Sequence, residues 1–80
     1  MRLDKYLKVS RIIKRRSIAN EACDSGRVLV NDVVAKASVK VKVGDTIQVN
    51  FGNNSIKVRI LMIKDTTKKD EATLLYEHIS

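Results

Sequence analysis

The 80-residue chain has no proline and no tryptophan, and only three glycines, one cysteine and one histidine. Without proline there is no stiff Pro-rich linker or recognition segment. The lone Cys23 has no partner for an internal disulfide, and with His78 as the single histidine there is no plausible set of zinc ligands. Neither disulfide nor zinc, nor any other cofactor, is expected to hold the fold. The aromatic residues are Tyr6, Phe51 and Tyr76, 4% of the chain. A platform that stacks successive bases on rings is therefore poorly supplied, so charge must carry most of any affinity for nucleic acid. No stretch approaches the roughly 18 to 20 apolar residues of a membrane span, and the N-terminus lacks the apolar region of a signal peptide. The expected location is the cytoplasm, with no membrane partner.

What is present is a core and an uneven charge. Hydrophobic residues make up 44% of the chain and charged residues 31%, a balance that suits a folded domain and not a disordered tail. A chain this short is expected to form one domain. The formal net charge is +7 and the pI is about 9.9, which makes a polyanion the natural partner. Residues 1 to 16 hold Arg2, Lys5, Lys8, Arg11, Lys14, Arg15 and Arg16 against Asp4 alone, a net of +6. The rest of the chain carries nine basic and eight acidic residues, a net of +1. Concentration of the excess in one fifth of the sequence is the pattern of a patch.

The spacing indicates how the patch is presented. With residues 2 to 8 helical, Leu3, Tyr6 and Leu7 share one side while Arg2, Lys5 and Lys8 lie roughly opposite. A second helix is expected from about Lys14 or Arg15 to Ser25. Ile18, Ala19, Ala22 and Cys23 recur at helical spacing, and Gly26 stands where a left-handed cap belongs. Arg15 and Arg16 would then lie in its first turn, a poor place for cations in an isolated helix but a good one for sharing a phosphate with the backbone amides.

After Gly26 the pattern alternates. Arg27 to Val30, the turn Asn31-Asp32, and Val33-Val34 predict a short hairpin. Val39, Val41 and Val43 lead to Gly44-Asp45, and segments 46–51 and 55–63 are expected to pair across a turn at Gly52-Asn53-Asn54. Residues 65–70 are expected to be at most a surface loop. Ala72, Leu75, Tyr76 and Ile79 recur at helical spacing, so a final helix within 67–79 is expected, with Thr67 and Asp70 near its start. The fold class is α+β: two N-terminal helices on a small antiparallel sheet, with a short C-terminal helix.

The run Arg2-Leu-Asp-Lys-Tyr-Leu7, the helix ending Ser25-Gly26, the segment Arg27-Val-Leu-Val-Asn31 and then Val43-Gly44-Asp45 with Ile47 and Val49 resemble the S4 RNA-binding domain over residues 2 to about 50. Residues 51 to 80 would be an extension within one S4-like domain. More narrowly, Lys14-Arg15-Arg16 and the tail Lys64-Asp-Thr-Thr-Lys-Lys-Asp-Glu-Ala72 resemble stand-alone bacterial S4 proteins of the RqcP (YabO) type, relatives of the 15 kDa heat-shock protein. The resemblance implies a factor that binds 23S rRNA and peptidyl-tRNA on the large (50S) ribosomal subunit, and a monomer is expected. With a NEMF-like partner it would support template-free tailing of stalled chains in ribosome-associated quality control. An S4-type rRNA-binding, recycling or assembly factor with no part in tailing is the alternative. Carried over by position, the family's basic motif falls on Arg2, Lys5, Lys14, Arg15 and Arg16; Lys8 and Arg11 join it on charge alone. Many S4 domains open the second helix with Ser-Arg, and here Arg15 stands in place of the serine, losing a hydroxyl cap and gaining a cation.

Two other classes are disfavoured. Cys23 sits on the apolar side of its helix and His78 near the terminus, with no base, acid or nucleophile spaced to work with either, so no enzyme is expected. A helix-turn-helix DNA reader would present Ser17, Asn20, Glu21 and Asp24 to phosphates, which the acids oppose.

Overall fold

A computed structural model describes residues 1–65 and 67–79. The elements are α1 (Leu3–Val9), α2 (Arg16–Asp24), β1 (Val28–Val30), β2 (Val33–Val34), β3 (Thr46–Phe51), β4 (Asn54–Ile60), a 3-10 turn at Ala72–Leu74, and β5 (Tyr76–His78). The strands form one sheet in the order β2-β1-β3-β4-β5, with every neighbouring pair antiparallel. The α+β class and the two helices on a small sheet agree with the sequence pattern.

The core is built from the residues whose periodicity marks them. Leu3, Tyr6 and Leu7 of α1 are fully buried against Ala19 and Cys23 of α2 and against Val28, Ile47, Val58 and Ile60 of the sheet. Register places Val28 opposite Val49 and Ile47 opposite Val58, so one face of the sheet is continuous and apolar. Small residues at 19 and 23 let α2 approach α1 closely. Ile18, expected on that stripe, is half exposed; it lies about 100° round the helix from Ala19, outside the narrow contact.

Helix termini are satisfied by tertiary structure where side-chain caps are missing. Neither Arg2 nor Arg15, the N-cap residues, makes a side-chain cap bond. The amides of Leu3 and Asp4 donate instead to the carbonyls of Val39 (2.8 Å) and Ala37 (3.2 Å), and Val41 N–H donates to Met1 O (2.9 Å). This holds the start of α1 against segment 37–41, which is connecting chain joined to it by a bridge between Arg2 and Lys40. Of Val39, Val41 and Val43, only Val41 is buried. At the end of α2, Gly26 (φ +85°) closes a Schellman motif, with Gly26 N–H to Cys23 O (3.1 Å) and Arg27 N–H to Ala22 O (3.0 Å).

The β1–β2 turn is of the mirror-image type, with Asn31 and Asp32 both left-handed (φ +50° and +68°). Asn31 is held by Asp45, whose Oδ1 accepts from its Nδ2 (3.2 Å), while its own Oδ1 accepts from Thr46 N–H (3.0 Å). The second hairpin is shorter than expected, because β4 ends at Ile60; beyond it the amides of Leu61 (2.8 Å) and Met62 (3.2 Å) both turn to Leu75 O.

The expected C-terminal helix is not formed. Its place is taken by the 3-10 turn and by β5, which pairs Tyr76, Glu77 and His78 with Ile60, Arg59 and Val58. Ala72 and Leu75 are buried, which a period of three satisfies as well as a period of 3.6. The open edge of β4 supplies backbone partners that a short isolated helix cannot match. Thr66, in the expected surface loop 65–70, and Ser80 lie outside the described residues.

Candidate nucleic-acid interface

The one acid among the first sixteen residues lies at the centre of the basic segment. Asp4 is buried, 2% exposed, and its carboxylate accepts from Arg2 Nε (3.2 Å), Arg2 Nη2 (3.4 Å), Asn20 Nδ2 (3.1 Å) and the Lys5 amide (2.8 Å). Arg16 Nε stands 3.5 Å from its Oδ2. Burial alone would raise the Asp4 pKa. The Asn20 and Arg2 hydrogen bonds, the Arg16 charge and the Lys5 amide outweigh it and hold the carboxyl below its ordinary value. No buried side-chain polar atom among the described residues is left without a partner.

This geometry fixes two guanidiniums on adjacent helix starts. Both side chains keep nearly half their surface in solvent. Arg2 turns its Nε–Nη2 edge to Asp4 and Arg16 its Nε alone, and both retain further N–H donors. Contact with Asp4 restricts the rotamers of Arg2 and Arg16 in the folded chain. Asn20, expected on the free face of α2, instead faces Asp4. Asp24 is exposed on α2, as expected, and its Oδ1 accepts from the Ala37 amide (3.0 Å).

The seven cations expected from the sequence do not form one stripe. Arg2 and Arg16 meet at Asp4, and Lys5 is beside them, its Nζ 3.4 Å from Asp65. Arg15 is the exposed N-cap of α2, one position before the first turn in which it was expected. Lys14 lies in the connection that precedes it. Lys8, Arg11 and Lys14 gather elsewhere, around a cleft of about 600 Å³ between the end of α1 and the C-terminal segment. Lys69, Thr73 and Tyr76 face the same cleft, and Thr67 ties the two sides together by donating to Val9 O (2.7 Å). Sequence reasoning gave Asp4, Asn20, Lys69 and Tyr76 no role at the site. Asp4 stood out as the single acid amid seven cations, which was the signal for its role; the other three required the tertiary fold.

The cysteine offers no chemistry. Cys23 is fully buried, and burial, with the charges of Asp4 and Asp24, pushes its thiol up to about 11. Among the described residues no group of three or more His, Cys, Asp or Glu could hold a metal ion, and no helix is long and apolar enough to cross a membrane.

The S4 domain family model matches residues 1–47. The chain is 55% identical over 80 residues to a Streptococcus pneumoniae protein named "RQC P-site tRNA stabilizing factor", spanning 100% of this chain and 91% of that one. A Bacillus subtilis protein of the same name is 54% identical over 76 residues, 95% of this chain and 88% of that one. Among solved structures, the trimeric heat shock protein 15 of Vibrio cholerae superposes with a TM-score of 0.92 at 33% identity, covering 100% of this chain and 82% of that one. The two-helix start, the five-stranded sheet and these likenesses together place the chain in the S4 domain family, among the RQC P-site tRNA stabilizing factors.

Proposed function

We propose that the chain is a non-catalytic RNA-binding factor of the large ribosomal subunit that acts in ribosome-associated quality control, holding a peptidyl-tRNA while a stalled chain is tailed without a template. The observation that carries this reading is the likeness along the full chain to proteins named for stabilising a P-site tRNA in that process. The geometry supports the mode of binding. Arg2 and Arg16, set by Asp4, make bidentate contacts to phosphates of structured RNA, and Lys5 and Arg15 extend them as flanking charges. Lys8, Arg11 and Lys14 supply a second set of contacts on the cleft side.

In this reading 23S rRNA and tRNA are the ligands, a NEMF-like quality-control factor is the partner, and the protein works as a monomer in the cytoplasm. Residues 1–80 act as one S4-like unit. Burial of Val58, Ile60 and Leu75 in the same core as Leu3 and Tyr6 supports treating the extension 51–80 as part of it. Neutralisation of about six phosphates implies an affinity loss on the order of a thousandfold between about 50 and 200 mM salt. Crosslinking in cells followed by sequencing of the attached RNA tests the assignment. Recovery of 23S rRNA together with tRNA is expected; recovery dominated by messenger RNA or small-subunit rRNA would overturn it.

A further inference from the structure

The cleft at the end of α1 has a chemistry distinct from the Asp4 cluster. Its buried lining residues are Val9, Ala72 and Ser10, whose hydroxyl is already spent on Leu7 O, and half-buried Tyr76 lines it beside them. Its rim is cationic, from Lys8, Arg11, Lys14 and Lys69, and none of the described residues that line it is acidic. Ion pairs among the described residues occupy none of these four cations. At about 600 Å³ it has the size of a small-ligand site. An inorganic anion would use the rim and leave the apolar lining and ring idle. A nucleotide, with a flat apolar-faced base and a phosphate, uses both.

The backbone adds an independent observation. Arg11 is left-handed (φ +61°) at the end of α1, with its N–H donating to Lys8 O (3.1 Å). It occupies the position that Gly26 occupies at the end of α2, where glycine or asparagine is the unstrained choice. An arginine there is unfavourable for the helix end. It does bring a guanidinium to the cleft, where Nη2 lies 3.5 Å from the Thr67 carbonyl on the opposite wall.

We infer that this cleft is a socket for one unpaired nucleotide of an RNA strand, with the phosphate on the Lys8, Arg11, Lys14 and Lys69 rim and the base against Tyr76. That the nucleotide belongs to an RNA rests on the function proposed above; the cleft chemistry does not.

The test uses the full chain and three otherwise identical RNA hairpins, carrying a single adenosine bulge, an abasic nucleotide at the bulge, or no bulge, with affinities read by fluorescence anisotropy. The bulged hairpin is expected to bind about tenfold more tightly than the abasic one. Tyr76→Leu should remove that preference. Arg11→Gly should shrink it severalfold while leaving Tm unchanged or raised, because glycine relieves the left-handed position. Arg16→Ala should weaken all three hairpins alike and keep the preference. Equal binding of the three hairpins by the wild type would overturn the socket alone; no binding to any would overturn the RNA reading and the socket with it. A lower Tm in Arg11→Gly with the preference intact would make Arg11 structural and overturn its role. Displacement of the bulged hairpin by micromolar adenosine 5′-monophosphate would overturn the RNA strand as the source.

Discussion

Arg16 at the start of α2 lies 3.5 Å from Asp4 in the first turn of α1, so one buried carboxylate fixes the relative placement of two helix starts and of the cation that each presents. Asp4 also holds Arg2 and Asn20. The basic patch is therefore an arranged surface, and its acid is part of the arrangement.

Acid should release it. The Asp4 pKa is lowered in the folded state, so in acid the unfolded chain binds the proton more readily than the folded one. The resulting stabilisation is complete above the ordinary carboxylate pKa near ~4 and is lost as pH falls through the folded value. Denaturant unfolding across the acid range should show stability falling in that window for the wild type and falling less for Asp4→Asn. Parallel curves for the two proteins would contradict the assignment.

The two anchored arginines should behave as phosphate contacts. Arg2→Ala and Arg16→Ala are each expected to weaken large-subunit binding and to reduce the salt slope by about one unit. Binding titrations at several salt concentrations measure both. Unchanged binding in the double variant would remove the patch from the mechanism.

The C-terminal segment is tied to α1 through Tyr6, whose hydroxyl donates to Leu75 O at 2.8 Å in the core. Tyr6→Phe should cost about 0.5–1.5 kcal/mol in denaturant unfolding. The cost stays at this modest level because Leu75 O keeps the Leu61 and Met62 amides as donors. Amide exchange in β5 should quicken more than in β3. A neutral substitution with unchanged exchange would show that the bond does not hold the strand.

Cys23 should be silent in the native state. With its thiol buried and its pKa raised to about 11, modification by a maleimide near neutral pH should require global opening. It should run on the order of a hundredfold or more slower than in denaturant. Fast native labelling with activity lost would reopen a chemical role.

The parts of the fold governed by local chemistry were legible in the sequence. Alternation along 46–51, the Asn31-Asp32 turn and Gly26 at the helix end report directly on backbone geometry, and the S4 resemblance carried the topology of the first half. The last segment was misread because Ala72, Leu75, Tyr76 and Ile79 fit a helix locally, while the deciding force was the open edge of β4. Motif residues Asn31 and Asp45 hold each other and a turn. At the site, counting charge located the patch but could not divide it. Whether a cation meets Asp4 or the cleft depends on where α1 ends and on how residues 67–76 return to it.

The effect of Asp4→Asn on affinity separates arrangement from charge most directly. The substitution removes the one acid from the basic segment and raises the formal net charge from +7 by one. It should also cost about 1–3 kcal/mol of stability, through the loss of charge-assisted bonds. With Arg2 and Arg16 released, binding to isolated large subunits, measured where the variant remains fully folded, should weaken severalfold despite the added positive charge. Tighter binding by Asp4→Asn would show that summed charge, and not the positioning of the two guanidiniums, governs recognition.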